Sequence, residues 1–262
     1  MSHRPDRVIG LSRGDIVDGC AVVEMAGRDS IAATVLLARE GGLRQVLPTV
    51  ACTATEYGDV AALPANVERL RRLLKPLGVE VLEPVVLGSP MWWRATVGRV
   101  NAVLSRLYGP WHICVGCHMY LHAVRAPLAW ETGIIRQVGG ERLQHKGRVK
   151  INQIRPAVEA YRNVLCDFGI GLELPLLELD DEEAILSLAG DWEEGEGQPG
   201  CVLSGNYRDL DGGVSYKEDR LLPYLDDYLV PVTTRILASL REGEKAGYDA
   251  IVRKVLAERE VG

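Results

Sequence analysis

The sequence predicts an α/β fold: a parallel, Rossmann-like sheet with helices on both faces and a helical extension at the C-terminal end. Three observations predict it. Short β-rich runs alternate with longer runs of helical periodicity, at the spacing of βαβ units. The β-rich runs are almost continuously apolar, as strands covered on both faces are. Glycines stand where helices must stop, at Gly78 and Gly133.

The elements follow in order. Ala21–Met25 (AVVEM) reads as a buried strand and Ser30–Glu40 as a helix with apolar residues at Ile31, Val35 and Leu36. Gln45–Thr53 is a second strand, weakened at Pro48, and Ala65–Leu77 a second helix. Val79–Leu87 is a third strand, bent or at an edge near Pro84. Trp92–Tyr108 is helical, as is the segment from about Cys117 to Thr132, and Ile134–Val138 is a fourth strand. Farther on, Asp180–Leu188 is a helix with an Asp cap and an acidic first turn. Asp191–Gly213 is a polar, Gly-rich loop; Glu218–Glu242 is a long helix interrupted near Pro223 or Pro231, and Gly247–Glu260 a final one. The expected division is an α/β domain over 1–175 and an extension over 176–262. Parallel sheets bind ligands beyond the carboxyl ends of their strands, where strand order reverses. Functional residues are therefore expected near 26–30, 53–59, 88–93 and 139–150.

Composition sets bounds. The chain has 262 residues, a formal charge of −6, 47% hydrophobic and 25% charged residues, the profile of a globular protein. No apolar stretch is long enough to span a membrane, and the start lacks the apolar core of a secretory signal. The acidic balance argues against a general binder of phosphate backbones. Six cysteines without an export signal point to a reducing, cytoplasmic setting and to free thiols. Cys20, Cys52 and Cys166 read as small buried apolar residues.

The first functional constellation is AVVEM-AGRDS-IAATVLLA, a small-residue turn between a strand and a helix. Ala26 and Gly27 let backbone approach an anion, the helix start offers free N–H groups, and Ser30 adds a hydroxyl. Asp29 repels phosphate, so it either fixes the turn or holds Mg²⁺. The spacing and lysine of a Walker A loop are missing. On spacing alone, a capped turn and a phosphate cradle are equal readings. The run Met25-Ala26-Gly27-Arg28-Asp29-Ser30, however, resembles the PP-loop, S-G-G-x-D-S, of the ATP pyrophosphatase superfamily. Gly27, Asp29 and Ser30 match; Met25 and Ala26 replace the first Ser and the first Gly. The resemblance covers roughly residues 18–155 and implies an adenine nucleotide α-hydrolase-like fold. It implies ATP with Mg²⁺ at Ala26, Gly27, Arg28, Asp29 and Ser30, with Thr53 and Gly140 beside it. The implied reaction adenylates a substrate oxygen, releases pyrophosphate, and lets a nucleophile displace AMP.

The second constellation is Cys114-Val115-Gly116-Cys117, placed at a strand-to-helix junction, with Cys201 far downstream in QPGCVLSGN. Four readings compete. CVGCH matches the attachment motif of c-type haem, a chemistry of exported proteins. A C-x-x-C at a helix start suits a redox dithiol. A structural zinc site needs a fourth ligand from Cys166, Cys201 or a His. Three thiolates can also hold an iron–sulfur cluster and leave one iron open. The arrangement resembles the iron–sulfur-dependent tRNA 2-thiolation enzymes, which are PP-loop proteins. That resemblance implies a [4Fe-4S] cluster on Cys114, Cys117 and Cys201. The chain departs from those enzymes in having no further C-x-x-C and in being acidic.

Other polar residues cluster nearby. Gly139-Gly140-Glu141-Arg142 precedes a basic run of His145, Lys146, Arg148 and Lys150, either a phosphate-facing loop or a solvated one. Lys150 is the candidate for neutralising pyrophosphate charge. His118 and His122, one helical turn apart, read as core or surface histidines or as residues facing the cluster, and Arg125 as a salt-bridge or substrate residue. Tyr57-Gly58-Asp59 borders either an adenine pocket or a plain turn; Trp92-Trp93 reads as a packing face, and Glu193, Glu194 and Glu196 as an exposed acidic loop.

These readings lead to one expectation and two alternatives. The expectation is an ATP-dependent sulfur transferase with Asp29 and Lys150 as catalytic residues, acting on a small-molecule or tRNA acceptor with a separate sulfur donor, as a possible homodimer. The alternatives are a zinc-containing adenylating amidotransferase or ligase, and a nucleotide-binding protein without turnover.

Overall fold

The computed structural model describes residues 13–58, 62–190, 192, 197–214, 216–244 and 246–259. Asp59, Glu193, Glu194 and Glu196 lie outside the described residues. The parallel α/β architecture is as expected. Strand β1 (Cys20–Glu24) leads through a short turn into α1 (Arg28–Arg39), and β2 (Gln45–Cys52) follows. A two-residue strand β3 (Glu56–Tyr57) precedes α2 (Ala62–Leu74). The third predicted strand is broken at Pro84 into β4 (Glu80–Val81) and β5 (Val85–Gly88). Both pieces pair in parallel with β2, β4 against its first half and β5 against its second.

The expected helix over Trp92–Tyr108 starts earlier and is not uniform. It comprises α3 (Pro90–Trp93), a π-helical turn Arg94–Gly98, and α4 (Asn101–Leu107). The next helix also starts earlier than expected: α5 spans His112–Ala123 and α6 Ala126–Thr132. Cys114 and Cys117 therefore sit inside the first turns of a helix that follows another helix, not a strand. Strand β6 (Arg136–Val138) comes next, then α7 (Arg155–Asp167) and β7 (Gly171–Glu173). Strand β7 has no counterpart among the predicted elements, whereas α7 contains Cys166, whose surroundings read as helical in the sequence.

The C-terminal part comprises α8 (Glu182–Ala189), β8 (Gly200–Cys201), α9 (Glu218–Tyr224), α10 (Val230–Arg241) and α11 (Tyr248–Arg259). Asp181 caps α8 as expected, its carboxylate accepting from the Ala184 N–H at 3.0 Å. The interruption of the long helix is a π-helical turn, Leu225–Leu229. Pro231 cannot supply the N–H of a regular turn and crowds the carbonyl four residues back, which this wider turn relieves.

The main sheet runs β4-β2-β1-β6-β7, with β5 also on β2, and every pairing is parallel. The chain moves outward from β1 to β2 on one side and returns to β6 on the other. The reversal lies between β1 and β6, so the crevice opens at their carboxyl ends. Side chains of β1 alternate between two cores. Ala21 and Val23 face the layer of α1, α2 and α8; Cys20 and Val22 face α5, α7 and the C-terminal helices. Cys20 is buried as expected, but Cys52 and Cys166 are exposed. Cys52 ends β2 where cover runs out, and Cys166 points away from the Ala157, Tyr161, Val164 face of α7.

Candidate functional site

A cavity of about 650 Å³ opens at the carboxyl ends of β1 and β6. Its floor is the turn Ala26–Ser30, which links β1 to α1. The turn is tightly organised: the N–H groups of Ala26 and Gly27 donate to Ser30 Oγ at 3.2 and 3.1 Å, and that hydroxyl donates to Gly27 O at 2.7 Å. Ser30 thus closes the loop on itself. Gly140, just beyond β6, lies directly against it. A Cβ there would stand 2.6 Å from Ser30 N and 2.8 Å from the Asp29 carbonyl carbon, so only glycine permits the approach.

A network of four charges holds this turn. Asp29 accepts from Arg28 Nε at 2.8 Å and from Arg142 Nε at 3.0 Å. Glu182, in the first turn of α8, accepts from Arg142 Nη2 at 2.8 Å and forms an ion pair with Arg28 Nη1 at 2.9 Å. Burial works against the Glu182 charge, but the Arg142 hydrogen bond and the two guanidiniums outweigh it and hold its carboxyl below the usual range. Both carboxylate oxygens of Asp29 are thus engaged by guanidiniums. Arg142 is buried, so the basic run after Gly140 is not a solvated loop at its start. Lys150 lines the cavity, and burial together with Arg142 and Arg28 lowers its amine against the pull of Asp29 and Glu141.

The three cysteines face the same cavity. Cys114 and Cys117 are three residues apart on α5 and so share a helix face. Cys201 arrives through a small antiparallel pair in which β8 lies on β3, with Glu56 opposite Cys201 and Tyr57 opposite Gly200. A Cβ at Gly200 would meet the Tyr57 ring at 2.5 Å, so the glycine before Cys201 lets the two strands close. Polar hydrogens reach the sulfurs: Leu203 N–H lies 3.4 Å from Cys201 Sγ, Trp93 Nε1–H 3.4 Å from Cys117 Sγ, and Thr55 Oγ1 3.3 Å from Cys201 Sγ. Burial pushes the Cys114 and Cys117 thiols up to about 12, with Cys201 adding to both. At Cys117 the Trp93 hydrogen bond opposes burial without outweighing it. All three are free thiols.

Other expected residues fall elsewhere. Thr53 does not line the cavity; its hydroxyl is engaged by Thr55 Oγ1 and Glu56 Oε1, both at 2.7 Å. Arg125 is buried and bonds Thr49 Oγ1 at 2.7 Å, with Glu24 at 3.7 Å. Trp92 packs in the core as expected, whereas Trp93 reaches Cys117. Tyr57 is an exposed residue of the β3–β8 pair. Sequence reasoning missed Gln198, whose side chain lies over the loop, 2.5 Å from where a Gly27 Cβ would be. It also missed Glu141 as a neighbour of His118 and His122, which the topology alone brings together.

No family model matches the sequence. The chain is 36% identical over 241 residues to the uncharacterized protein MJ0009 of Methanocaldococcus jannaschii, covering 90% of this chain and 86% of that protein. Among solved structures, it is similar to the U34-tRNA thiolase NcsA from Methanococcus maripaludis with its [4Fe-4S] cluster. The TM-score is 0.40 at 12% identity, over 92% of this chain and 71% of that one.

Proposed function

The chain belongs to the same family as protein MJ0009 of M. jannaschii, and we propose that it is an ATP-dependent sulfur transferase that adenylates an acceptor oxygen and replaces it with sulfur. One observation carries this reading. Cys201 shares a cavity with Cys114 and Cys117, and that cavity has the β1–α1 turn as its floor. A PP-loop-like nucleotide site and a three-thiol centre therefore open into one space.

The residues divide the work. The turn Ala26–Ser30 at the start of α1 receives the triphosphate of Mg²⁺-ATP, helped by the helix dipole; to donate to it, the Ala26 and Gly27 N–H groups exchange Ser30 Oγ for phosphate oxygen. Gly140 lets the loop after β6 close directly onto this turn. Lys150 supplies the charge that stabilises departing pyrophosphate, while Asp29 positions Arg28 and Arg142 around the turn. The acceptor oxygen attacks the α-phosphorus and pyrophosphate leaves; a sulfur nucleophile then takes the place of that oxygen and AMP departs. Cys114, Cys117 and Cys201 would hold a [4Fe-4S] cluster, which would supply the sulfur-activating chemistry. The Trp93 indole N–H favours the thiolate form of Cys117. The acceptor is a small molecule or a tRNA, the sulfur comes from a separate donor, and a homodimer is compatible with this arrangement.

Anaerobic purification and reconstitution, followed by iron and sulfide analysis and EPR, tests the reading. Iron and inorganic sulfide, lost in Cys201→Ser, together with AMP and pyrophosphate formation from ATP in the presence of acceptor, are the expected results. A folded protein that binds zinc without iron or sulfide would replace it with an adenylating ligase.

A further inference from the structure

Behind the cysteines, deeper in the same cavity wall, lies a group of three donors that the sulfur-transfer reading does not use. His118 and His122 are four residues apart on α5 and present their rings on one face. Glu141 reaches them from the loop after β6. His122 Nε2 stands 2.8 Å and His118 Nδ1 3.6 Å from Glu141 Oε1. The three ligand atoms all lie within 4.8 Å of one another. His122 and Glu141 are buried, with 1% and 2% of their side chains exposed, and His118 lies at the cavity edge.

Hydrogen bonding leaves this group incomplete. His118 Nδ1 and Glu141 Oε2 are buried with no hydrogen-bond partner. A single proton shared by His122 and Glu141 satisfies one contact and leaves His118 Nδ1 without one, since 3.6 Å is beyond hydrogen-bond range. One cation at the centre engages all three atoms. The outer nitrogens of both rings also have amides in place: Gln137 Nε2 lies 3.2 Å from His122 Nδ1 and Asn152 Nδ2 lies 2.9 Å from His118 Nε2. Gln137 Oε1 is itself buried and lacks a partner. With the amide carbonyls turned toward the rings, each outer N–H is accepted and each inner nitrogen becomes a lone pair facing Glu141, the usual arrangement behind metal-binding histidines.

We propose that His118, His122 and Glu141 form a second metal site, for a divalent transition ion of the zinc type, distinct from the three cysteines. Metal–ligand bonds of about 2.0–2.1 Å give tetrahedral ligand–ligand spacings of about 3.3 Å; the 2.8 and 3.6 Å to Glu141 lie on either side of that value, and the two ring nitrogens are within 4.8 Å of each other. Two histidines and one carboxylate leave a fourth position, and since His118 and Glu141 line the cavity, an oxygen ligand such as water or the acceptor can reach it. The site stands whether or not the cysteines hold iron.

The test uses the full chain with Cys114, Cys117 and Cys201 changed to Ser, stripped of metal and titrated with Zn²⁺ by calorimetry and with Co²⁺ by visible spectroscopy. One equivalent of Zn²⁺ is expected, with a Co²⁺ spectrum lacking a sulfur charge-transfer band. Adding His118→Ala, at the half-exposed position, weakens Zn²⁺ by at least about tenfold, while far-UV circular dichroism stays unchanged. No Zn²⁺ binding, or binding untouched by His118→Ala and Glu141→Gln, overturns the site and leaves a protonated ion pair. If the triple-Ser chain does not fold, elemental analysis of the intact chain decides. One zinc per chain that disappears in His118→Ala with the iron content unchanged supports the site; equal zinc in both overturns it. Loss of iron in the cysteine variants bears on the sulfur-transfer reading alone.

Discussion

Arg142 Nε donates to Asp29 Oδ2 across 3.0 Å, tying the loop after β6 to the first turn of α1. The same guanidinium reaches Glu182 at 2.8 Å, so one buried residue joins both edges of the cavity floor to α8. Removing it leaves two carboxylates with only Arg28 between them. Arg142→Ala is expected to cost about 3–5 kcal/mol of stability, the range for breaking a buried pair, read from denaturant unfolding. Arg142→Lys recovers only part of it, because an ammonium cannot span both carboxylates with the fixed guanidinium fork.

Gly140 makes a separate test of the loop. An alanine Cβ would meet backbone, not a flexible side chain, at Ser30 N and the Asp29 carbonyl carbon. Gly140→Ala is expected to push the loop out of place, at an overpacking cost of about 1–3 kcal/mol, and to abolish measurable ATP binding by calorimetry at concentrations where the wild type saturates. An unchanged affinity would show that nucleotide does not use this turn.

Lys150 is expected to act on the chemistry. Lys150→Met keeps the length of the stem and removes the charge, so pyrophosphate release should fall by about 10²–10³, with a smaller change in ATP affinity. A loss confined to affinity would make Lys150 a binding residue only.

The cysteines separate cleanly by environment. Cys201→Ser and Cys117→Ser should each lower iron content after anaerobic reconstitution and change the EPR signal. Cys166→Ser, at an exposed site on α7, should leave both unchanged.

His145 predicts a pH dependence. Burial, then the charges of Lys150 and Arg142, lower its imidazole to about 4, against hydrogen bonds involving Gln153 and Arg142. The unfolded chain takes up this proton first as pH falls through about 6.5. The folded state is therefore favoured by the neutral ring above that pH and loses stability between about 6.5 and 4. Thermal melts of wild type and His145→Gln should diverge over that window, with the wild type showing the steeper fall on acidification. Parallel curves would contradict the shift.

Much of the fold was legible because it is written in local periodicity. The apolar run before Ala26 and the helical pattern after Ser30 needed only neighbours within a turn, and β1 and α1 formed within two residues of expectation. The short β7 carries too few residues to show a period. The start of α5 was missed because Trp111, Ile113 and Cys114 lack a capping signature: Trp111 offers no side-chain cap. Cys52 was misread because a strand's apolar pattern does not reveal where its cover ends.

By itself, the sequence determined most of the strand–helix order, the small-residue turn after the first strand, and the three-residue spacing of two thiols, which the structure then placed on one helix face. The tertiary structure alone decided that Cys201 joins them, that Arg142 is buried beneath Asp29, and that Glu141 meets His118 and His122. The physical reason is range. Periodicity and turn chemistry act over a few residues, whereas these contacts depend on β8 pairing with β3 and on β6 lying beside β1, which are set by how whole layers pack.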